Sequence, residues 1–426
     1  IGSLPFELTA DQKSATNEIF RDFHAKHPMN RLLQGDVGSG KTVCAAIAAY
    51  AVSTAGKQTV VMAPTEILAF QHYNNFQKMF SGFGIGTVYL SGSLKSGERQ
   101  AILNRIKSES PLIIIGTHAL IQPDVSFDNL GLVIIDEQHR FGVKQRQILR
   151  DKGAMPDALF LSATPIPRTL AITLYGDMDV SSIQTIPSGR KRIITEIINY
   201  EDIEKAYRRT LAELREGNQA YFIVPMIEEN ANSGLISVKE YYREVRSRIP
   251  DEFGVGLLHG KMKSAEKEEV LQDFYRKRIQ VLVSTTVVEV GTDVPGATEM
   301  VVLNASRFGL SQLHQLRGRV GRNDLQSYCF YVIDDPLADM AKLAILGKTD
   351  DGFAISQADL ANRGPGDFFG LEQTGLPKFR MANPVTDMDL LEKTKNDASQ
   401  VASATDELSR VLMAKALKTI DEYILD

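Results

Sequence analysis

At 426 residues, 43% of them hydrophobic and 24% charged, the chain is too long for one ordinary core and reads as a globular protein of two or three domains. A net charge of −5 gives no bulk attraction for a polyanion, so any nucleic-acid surface must be local, and no apolar run approaches the ~20 residues of a membrane span. The two cysteines, Cys44 and Cys329, exclude a disulfide framework or a cysteine zinc site and point to a reduced, cytosolic setting.

Strand-like runs alternate with helical stretches along the chain: RLLQ before residue 35, then TVVMAP (59–64), TVYL (87–90), PLIIIGT (111–117), LVIID (132–136) and ALFLSAT (158–164). That order predicts a parallel sheet with crossover helices. The Pro/Gly/basic segment IPSGRKR (186–192) reads as a linker. A second series follows it, RIITEII (192–198), QAYFIVPM (219–226), VGLLHG (255–260), QVLVST (280–285), MVVLN (300–304) and YCFYVID (328–334). The strands stop near residue 345. Leu408, Val411, Leu412, Ala416, Ile420, Tyr423 and Ile424 then recur at helical spacing, which predicts a closing amphipathic helix. The start at Ile1, without a signal-peptide pattern, is expected to be the cut end of a longer protein.

Gly35-Asp36-Val37-Gly38-Ser39-Gly40-Lys41-Thr42 is a complete G-x-x-x-x-G-K-T between a strand and a helix. Glycines 35, 38 and 40, with Ser39, let backbone N–H groups turn toward phosphate oxygens. Lys41 supplies a point charge to the β- and γ-phosphates, and the Thr42 hydroxyl ligates Mg²⁺. Downstream, LVIID runs straight into Asp136 and Glu137. Paired acids at a buried strand end are costly unless they bind something. Asp136 is therefore assigned to the Mg²⁺ that Thr42 also touches, and Glu137 to orienting or deprotonating an attacking water.

QLHQLRGRVGR (312–322) places Arg317, Arg319 and Arg322 close together. Such arginines repel unless an anion lies nearby, and the natural anion is the γ-phosphate. Arg319 and Arg322 take that role, with Arg317 as a further candidate; a solvated basic helix or a phosphate-backbone contact is the alternative. The strand end STTVVEVGTDVPG (284–296) adds Thr285, Gly291 and Asp293, a loop that could read nucleotide on one side and a polymer on the other. Small polar residues recur at other strand ends: Thr65, Thr117, Ser162 and Thr164. They could grip nucleic-acid phosphates, although Thr65 and Ser162 could equally cap the helices that follow them.

The ordered set of these motifs resembles that of superfamily 2 helicases. Within that resemblance FELTADQ (6–12) is similar to the adenine-reading segment, with Gln12 the contact and Phe6 stacking or packing. DEQHRFGV with SATPIPRTL is narrower and resembles the RecG branch-migration helicases and the related Mfd translocases. DGFAISQADLANRGPGDFFGLEQTG (351–375) resembles the element those families share for coupling hydrolysis to movement on duplex DNA; its RGPGDFFG form is closer to RecG, while Leu371-Glu372 stands where a Thr-Arg pair is expected.

The resemblance implies two tandem RecA-like parallel-sheet lobes, 1–187 and 188–345, followed by a mainly helical translocation element, 346–426. It implies use of ATP and Mg²⁺, and catalytic roles for Lys41, Glu137, Gln138, Arg319 and Arg322. Gln138 and His139 would relay the γ-phosphate state, and a helical hairpin would lead to a coupling loop around Arg363 and Gln373. The expected partners are branched and double-stranded DNA, with a single-stranded DNA-binding protein a further one. A monomer of the bacterial cytosol is expected, and the family's N-terminal wedge domain lies outside this stretch. The activity implied is remodelling of stalled forks and Holliday junctions. An Mfd-type translocase and a nucleotide-gated DNA clamp are the alternatives.

Overall fold

The computed structural model describes residues 6–137, 141, 143–165, 178–185, 191–225, 238–285, 294–334, 340–369, 388–404 and 406–424. Gln138, His139, Gly291, Asp293 and Gln373 lie outside the described residues.

Two parallel sheets organise the first 334 residues, as the alternating pattern predicts. The first has seven strands: β1 (Asn30–Gly35), β2 (Gln58–Met62), β3 (Gly86–Leu90), β4 (Leu112–Gly116), β5 (Leu130–Asp136), β6 (Asp157–Ser162) and β7 (Asp179–Ile183), in the order β3-β4-β2-β5-β6-β1-β7. Leu32 pairs with Phe160, Val60 with both Ile114 and Val133, and Ile135 with Phe160. The runs are continuous rather than alternating because both faces are covered. Leu33, Val61, Ile113, Ile134 and Leu159 pack into the core beneath α1 (Ala10–Phe23), α2 (Lys41–Thr54) and α3 (Glu66–Phe80). Their neighbours Leu32, Val60, Ile114 and Val133, pointing the other way, are equally buried.

Helix starts follow local chemistry. Thr9 caps α1 in a capping box with Gln12, and Thr65 caps α3 by accepting from the Leu68 amide at 3.3 Å.

The second sheet has six strands, β8 (Ile194–Asn199), β9 (Gln219–Ile223), β10 (Val255–Leu258), β11 (Val281–Ser284), β12 (Ala297–Val302) and β13 (Tyr328–Ile333), ordered β10-β11-β9-β12-β13-β8. Alternation is again visible in the core. Tyr221, Leu282, Met300 and Tyr331 face α9 (Leu310–Arg317) and α10 (Met340–Lys348), whereas Phe222, Val283, Val301 and Phe330 face α6 (Glu204–Arg215) and α7 (Val238–Arg248). Cys44 and Cys329 are free and buried, one in α2 and one in β13.

Helices alone are described beyond residue 340: α11 (Gly352–Phe369), α12 (Met388–Ser403) and α13 (Glu407–Ile424), of which α12 and α13 pack on one another. One expectation is corrected here. Arg363 stands within the helix α11 and not in a loop. The closing helix forms as expected, and on it Leu408 is 69% and Val411 59% exposed. Among the described residues no helix is long and apolar enough to cross a membrane.

Candidate nucleotide site at the carboxyl edge of the first sheet

The loop between β1 and α2 needs backbone that L side chains resist: φ is +77° at Gly38 and +90° at Gly40. A Cβ at Gly40 would fall 2.2 Å from Gln12 Nε2, which donates to the Ser39 carbonyl at 2.8 Å. Gln12 thus braces the loop from α1. Gly35 is tight as well, since a Cβ there would meet Ser39 Oγ at 2.6 Å. Ser39 is wholly buried, and its hydroxyl has no partner among the described residues. The Lys41 ammonium donates to the carbonyls of Gly35 at 2.7 Å and Asp36 at 2.8 Å. Burial pushes its pKa down, against the attraction of Glu137, Asp136 and Asp36.

The acids sit where β5 ends. Asp136 accepts from the Glu137 amide at 2.9 Å, and Glu137 adopts φ +51°, a left-handed conformation uncommon outside glycine and characteristic of functional turns. Asp136 also meets His72 Nε2, on α3, at 2.7 Å. Burial is the largest single influence on Asp136 and opposes its ionisation, but the hydrogen bond and charge of His72, the Lys41 ammonium and the Glu137 amide together outweigh it and hold the carboxyl below its ordinary range. Glu137 moves the other way, pushed up by burial and by Asp136 next to it, with Arg319 and Lys41 opposing. Two adjacent carboxyls thereby acquire different protonation tendencies, as unlike roles require.

The lobes meet over this loop. Gly318, at the end of α9, lies so near the loop that a Cβ would touch Val37 Cβ at 3.0 Å. One cavity of about 320 Å³ is lined by Lys41, Thr42, Asp136 and Glu137 from the first sheet's edge and by Arg319 and Arg322 from beyond α9. Gly38 lines it too. Thr42 and Asp136 offer hard oxygen donors suited to Mg²⁺. Both line the same cavity, so an ion held there would complete its shell with phosphate oxygens and water.

Other sequence candidates fall differently. Arg317 is not a γ-phosphate residue: its side chain is 2% exposed and bonded to His314, to the Leu346 and Thr349 carbonyls and to Asp350. Phe6 is 49% exposed and does not line the cavity. Thr65 is a helix cap, while the Ser162 hydroxyl bonds Thr164 at 3.0 Å. Thr117 and Thr285 are buried at the carboxyl ends of β4 and β11, and Thr285 Oγ1 has no partner among the described residues. The backbone of Arg363 is helical, but its side chain lies outside what is described. His72, His314 and Asp359 escaped the sequence reading. His72 and His314 lie inside motifs read for other residues, and distant contacts alone reveal them.

Residues 9–172 match the DEAD/DEAH box helicase family, and residues 202–324 the helicase conserved C-terminal domain. Residues 349–420 match domain 3, C-terminal, of the ATP-dependent DNA helicase RecG. The ATP-dependent DNA helicase RecG of Staphylococcus aureus (strain NCTC 8325) is 52% identical over 411 residues, 94% of this chain and 58% of that protein. The chain belongs to the RecG family. The RecG of Staphylococcus epidermidis (strain ATCC 12228) is likewise 52% identical, over 94% of this chain and 59% of its own length. A solved structure of RecG bound to a three-way DNA junction superposes with a TM-score of 0.78 at 45% identity, covering 92% of this chain and 51% of that one. The chain thus spans little more than half the length of the RecG relatives it matches. Mycobacterium smegmatis helicase Lhr bound to ssDNA and AMP-PNP shares the fold at 18% identity, with a TM-score of 0.56 over 81% of this chain and 50% of that one.

Proposed function

We propose that this chain is the motor of an ATP-dependent DNA helicase that translocates on double-stranded DNA and remodels stalled forks and Holliday junctions. One observation carries the reading: both lobes contribute cationic groups to the cavity that also holds Asp136 and Glu137. Lys41 turns its ammonium from the carbonyls of Gly35 and Asp36 to the β- and γ-phosphates of ATP. Thr42 and Asp136 would hold a magnesium ion, which would supply charge neutralisation on the phosphate oxygens. Glu137 orients the attacking water and receives its proton. Arg319 and Arg322 meet charge developing on the γ-phosphoryl group from the opposite lobe, an arrangement that favours the transition state over bound ATP.

The remaining assignments belong to the same proposal. Gln138 and His139 relay the γ-phosphate state; Gln12, Phe6, Gly291 and Asp293 serve the nucleotide. Thr65, Thr117, Ser162, Thr164 and Thr285, all at or just past the carboxyl ends of strands, face the DNA backbone, and Arg363 and Gln373 serve coupling. The functional divisions are 1–187, 188–345 and 346–426. The protein acts as a monomer in the bacterial cytosol on branched and double-stranded DNA, with a single-stranded DNA-binding protein as a further partner.

Hydrolysis of ATP measured with no DNA, with duplex and with a three-way junction tests the reading. Stimulation by duplex and junction DNA, abolished in Lys41→Ala, is the expected result. An ATPase rate indifferent to DNA would favour a nucleotide-gated clamp instead.

A further inference from the structure

His314 stands between the two lobes with both ring nitrogens engaged. Nε2 lies 2.7 Å from each carboxylate oxygen of Asp36 in the phosphate loop, and Nδ1 lies 2.9 Å from Nη2 of Arg317. All three side chains are almost wholly buried, at 8% exposure for Asp36, 7% for His314 and 2% for Arg317. A guanidinium can only donate, so Nδ1 must accept and the imidazole proton must sit on Nε2, donating to Asp36. The ring is thus a neutral bridge between a buried cation and a buried carboxylate. Burial is the largest single influence on Asp36 and opposes its ionisation; His314, the Val37 amide and the Lys41 ammonium together overcome it and keep the carboxyl below the usual range.

From Arg317 the connection continues to the turn that follows α10: its guanidinium donates to the carbonyls of Leu346 and Thr349 and pairs with Asp350 at 3.2 Å. Helix α11 begins two residues later. Its first residue, Gly352, is pressed against the same bridge, since a Cβ there would lie 2.7 Å from Asp36 Oδ2 and 2.8 Å from His314 Nε2. Farther along α11, Asp359 accepts from the amides of Leu310 and Ser311, each at 3.1 Å, and so caps α9, which carries His314. Gly309, the residue at that helix start, offers no side-chain cap of its own.

The other end of the bridge is sensitive to nucleotide. The Lys41 ammonium, which a triphosphate would claim, is engaged with the carbonyls of Gly35 and Asp36. Filling the cavity therefore rearranges the hydrogen bonding of the residue whose carboxylate holds His314.

We propose that His314 is a positioning residue that transmits nucleotide occupancy from the phosphate loop, through Asp36 and Arg317, to the root of α11. The inference rests on the reading of the cavity as an ATP site. It makes α11 a direct reader of the loop, in addition to any signal carried by Arg319 and Arg322.

Hydrogen exchange of the whole chain, with and without magnesium and the non-hydrolysable analogue AMP-PNP, tests it. In the unaltered protein the analogue should slow exchange at residues 38–42 and also alter exchange at residues 346–360. His314→Ala should keep the loop response and lose that of 346–360. His314→Gln should restore it, because a glutamine amide can donate to Asp36 while its carbonyl accepts from Arg317. Gly352→Ala, which wedges a methyl between Asp36 and His314, should lose the distal response with His314 intact and is the second variant should His314→Ala not fold. A distal response that persists in His314→Ala or in Gly352→Ala, or one that His314→Gln fails to restore, overturns the proposal. Loop protection without any distal change in the unaltered protein also overturns it, leaving the ATP reading in place. No loop protection at all would remove the ATP reading and the proposal together.

Discussion

His72 and Asp136 form a buried contact of 2.7 Å between α3 and the end of β5, so the carboxylate assigned to magnesium is aimed and kept charged by an imidazole from a different motif. Outer-sphere partners of this kind fix the orientation of a ligating oxygen. Removing one typically costs about 10–100-fold in metal affinity or activity. His72→Ala is therefore expected to raise the magnesium concentration that half-saturates ATP hydrolysis by about that factor. A magnesium titration of the ATPase reads it directly, and an unchanged half-saturation point would detach His72 from the site.

Glu137 is half-buried beside Asp136 and held in a left-handed backbone conformation, a placement that packing alone does not explain. Its role as water-orienting base predicts that Glu137→Gln binds nucleotide normally while turnover falls by about 10²–10⁴, the usual span for a lost general base. Binding measured with a fluorescent ATP analogue, alongside single-turnover hydrolysis, separates the two effects. Hydrolysis near the unaltered rate would exclude the assignment.

Much of this arrangement is legible in the sequence because the signals are local. The runs at 113–115 and 132–135 are continuous because each strand is buried on both faces, and the phosphate loop announces itself through its spacing. What escapes reading depends on partners far away in the chain. His72 finds Asp136 across 64 positions, His314 finds Asp36 across 278, and Asp359 caps a helix 49 positions before it. Strand β7 carries small polar residues, so no apolar run marks it; Ser181 and Ser182 instead bond Arg31 and Gln34 of β1. Arg317 looked like its neighbours Arg319 and Arg322, and only its enclosure by His314 and three groups near the end of α10 separates it from them.

That separation is itself testable. Arg319 and Arg322 line the cavity and Arg317 does not. An arginine that meets the transition state of phosphoryl transfer is worth about 10³–10⁵ in rate. Arg319→Ala and Arg322→Ala should each lower DNA-stimulated turnover steeply, out of proportion to any change in melting temperature. Arg317→Ala removes a buried cation and leaves Asp350 and the carbonyls of Leu346 and Thr349 without it, so its first effect should be a lowered melting temperature. Calorimetry and turnover on the three variants decide the matter: a stable Arg317→Ala with the largest kinetic defect would reverse the assignment.

The second sheet holds a buried acid unrelated to the nucleotide. Glu299 on β12 is fully enclosed, and the Thr210 hydroxyl favours its charged form without overcoming that burial. Burial pushes its pKa well above the ordinary value, and the nearby Glu213 carboxylate, which accepts from Thr298 at 2.7 Å and Asn218 at 2.9 Å, adds to the shift. The folded protein therefore holds the Glu299 proton to higher pH than the unfolded chain, which releases it above pH ~4.3. Below that pH both states are protonated and nothing is lost; as pH rises toward the folded pKa the unfolded state gains, and stability falls. Glu299→Gln cannot ionise, so the variant should melt higher than the unaltered protein at pH 8, by about 2–4 °C for each kcal/mol recovered. The difference should shrink as the pH is lowered toward 5. Melting curves across that range that stay parallel would mean Glu299 is already ionised in the fold, against the placement of its carboxyl in an apolar sheet.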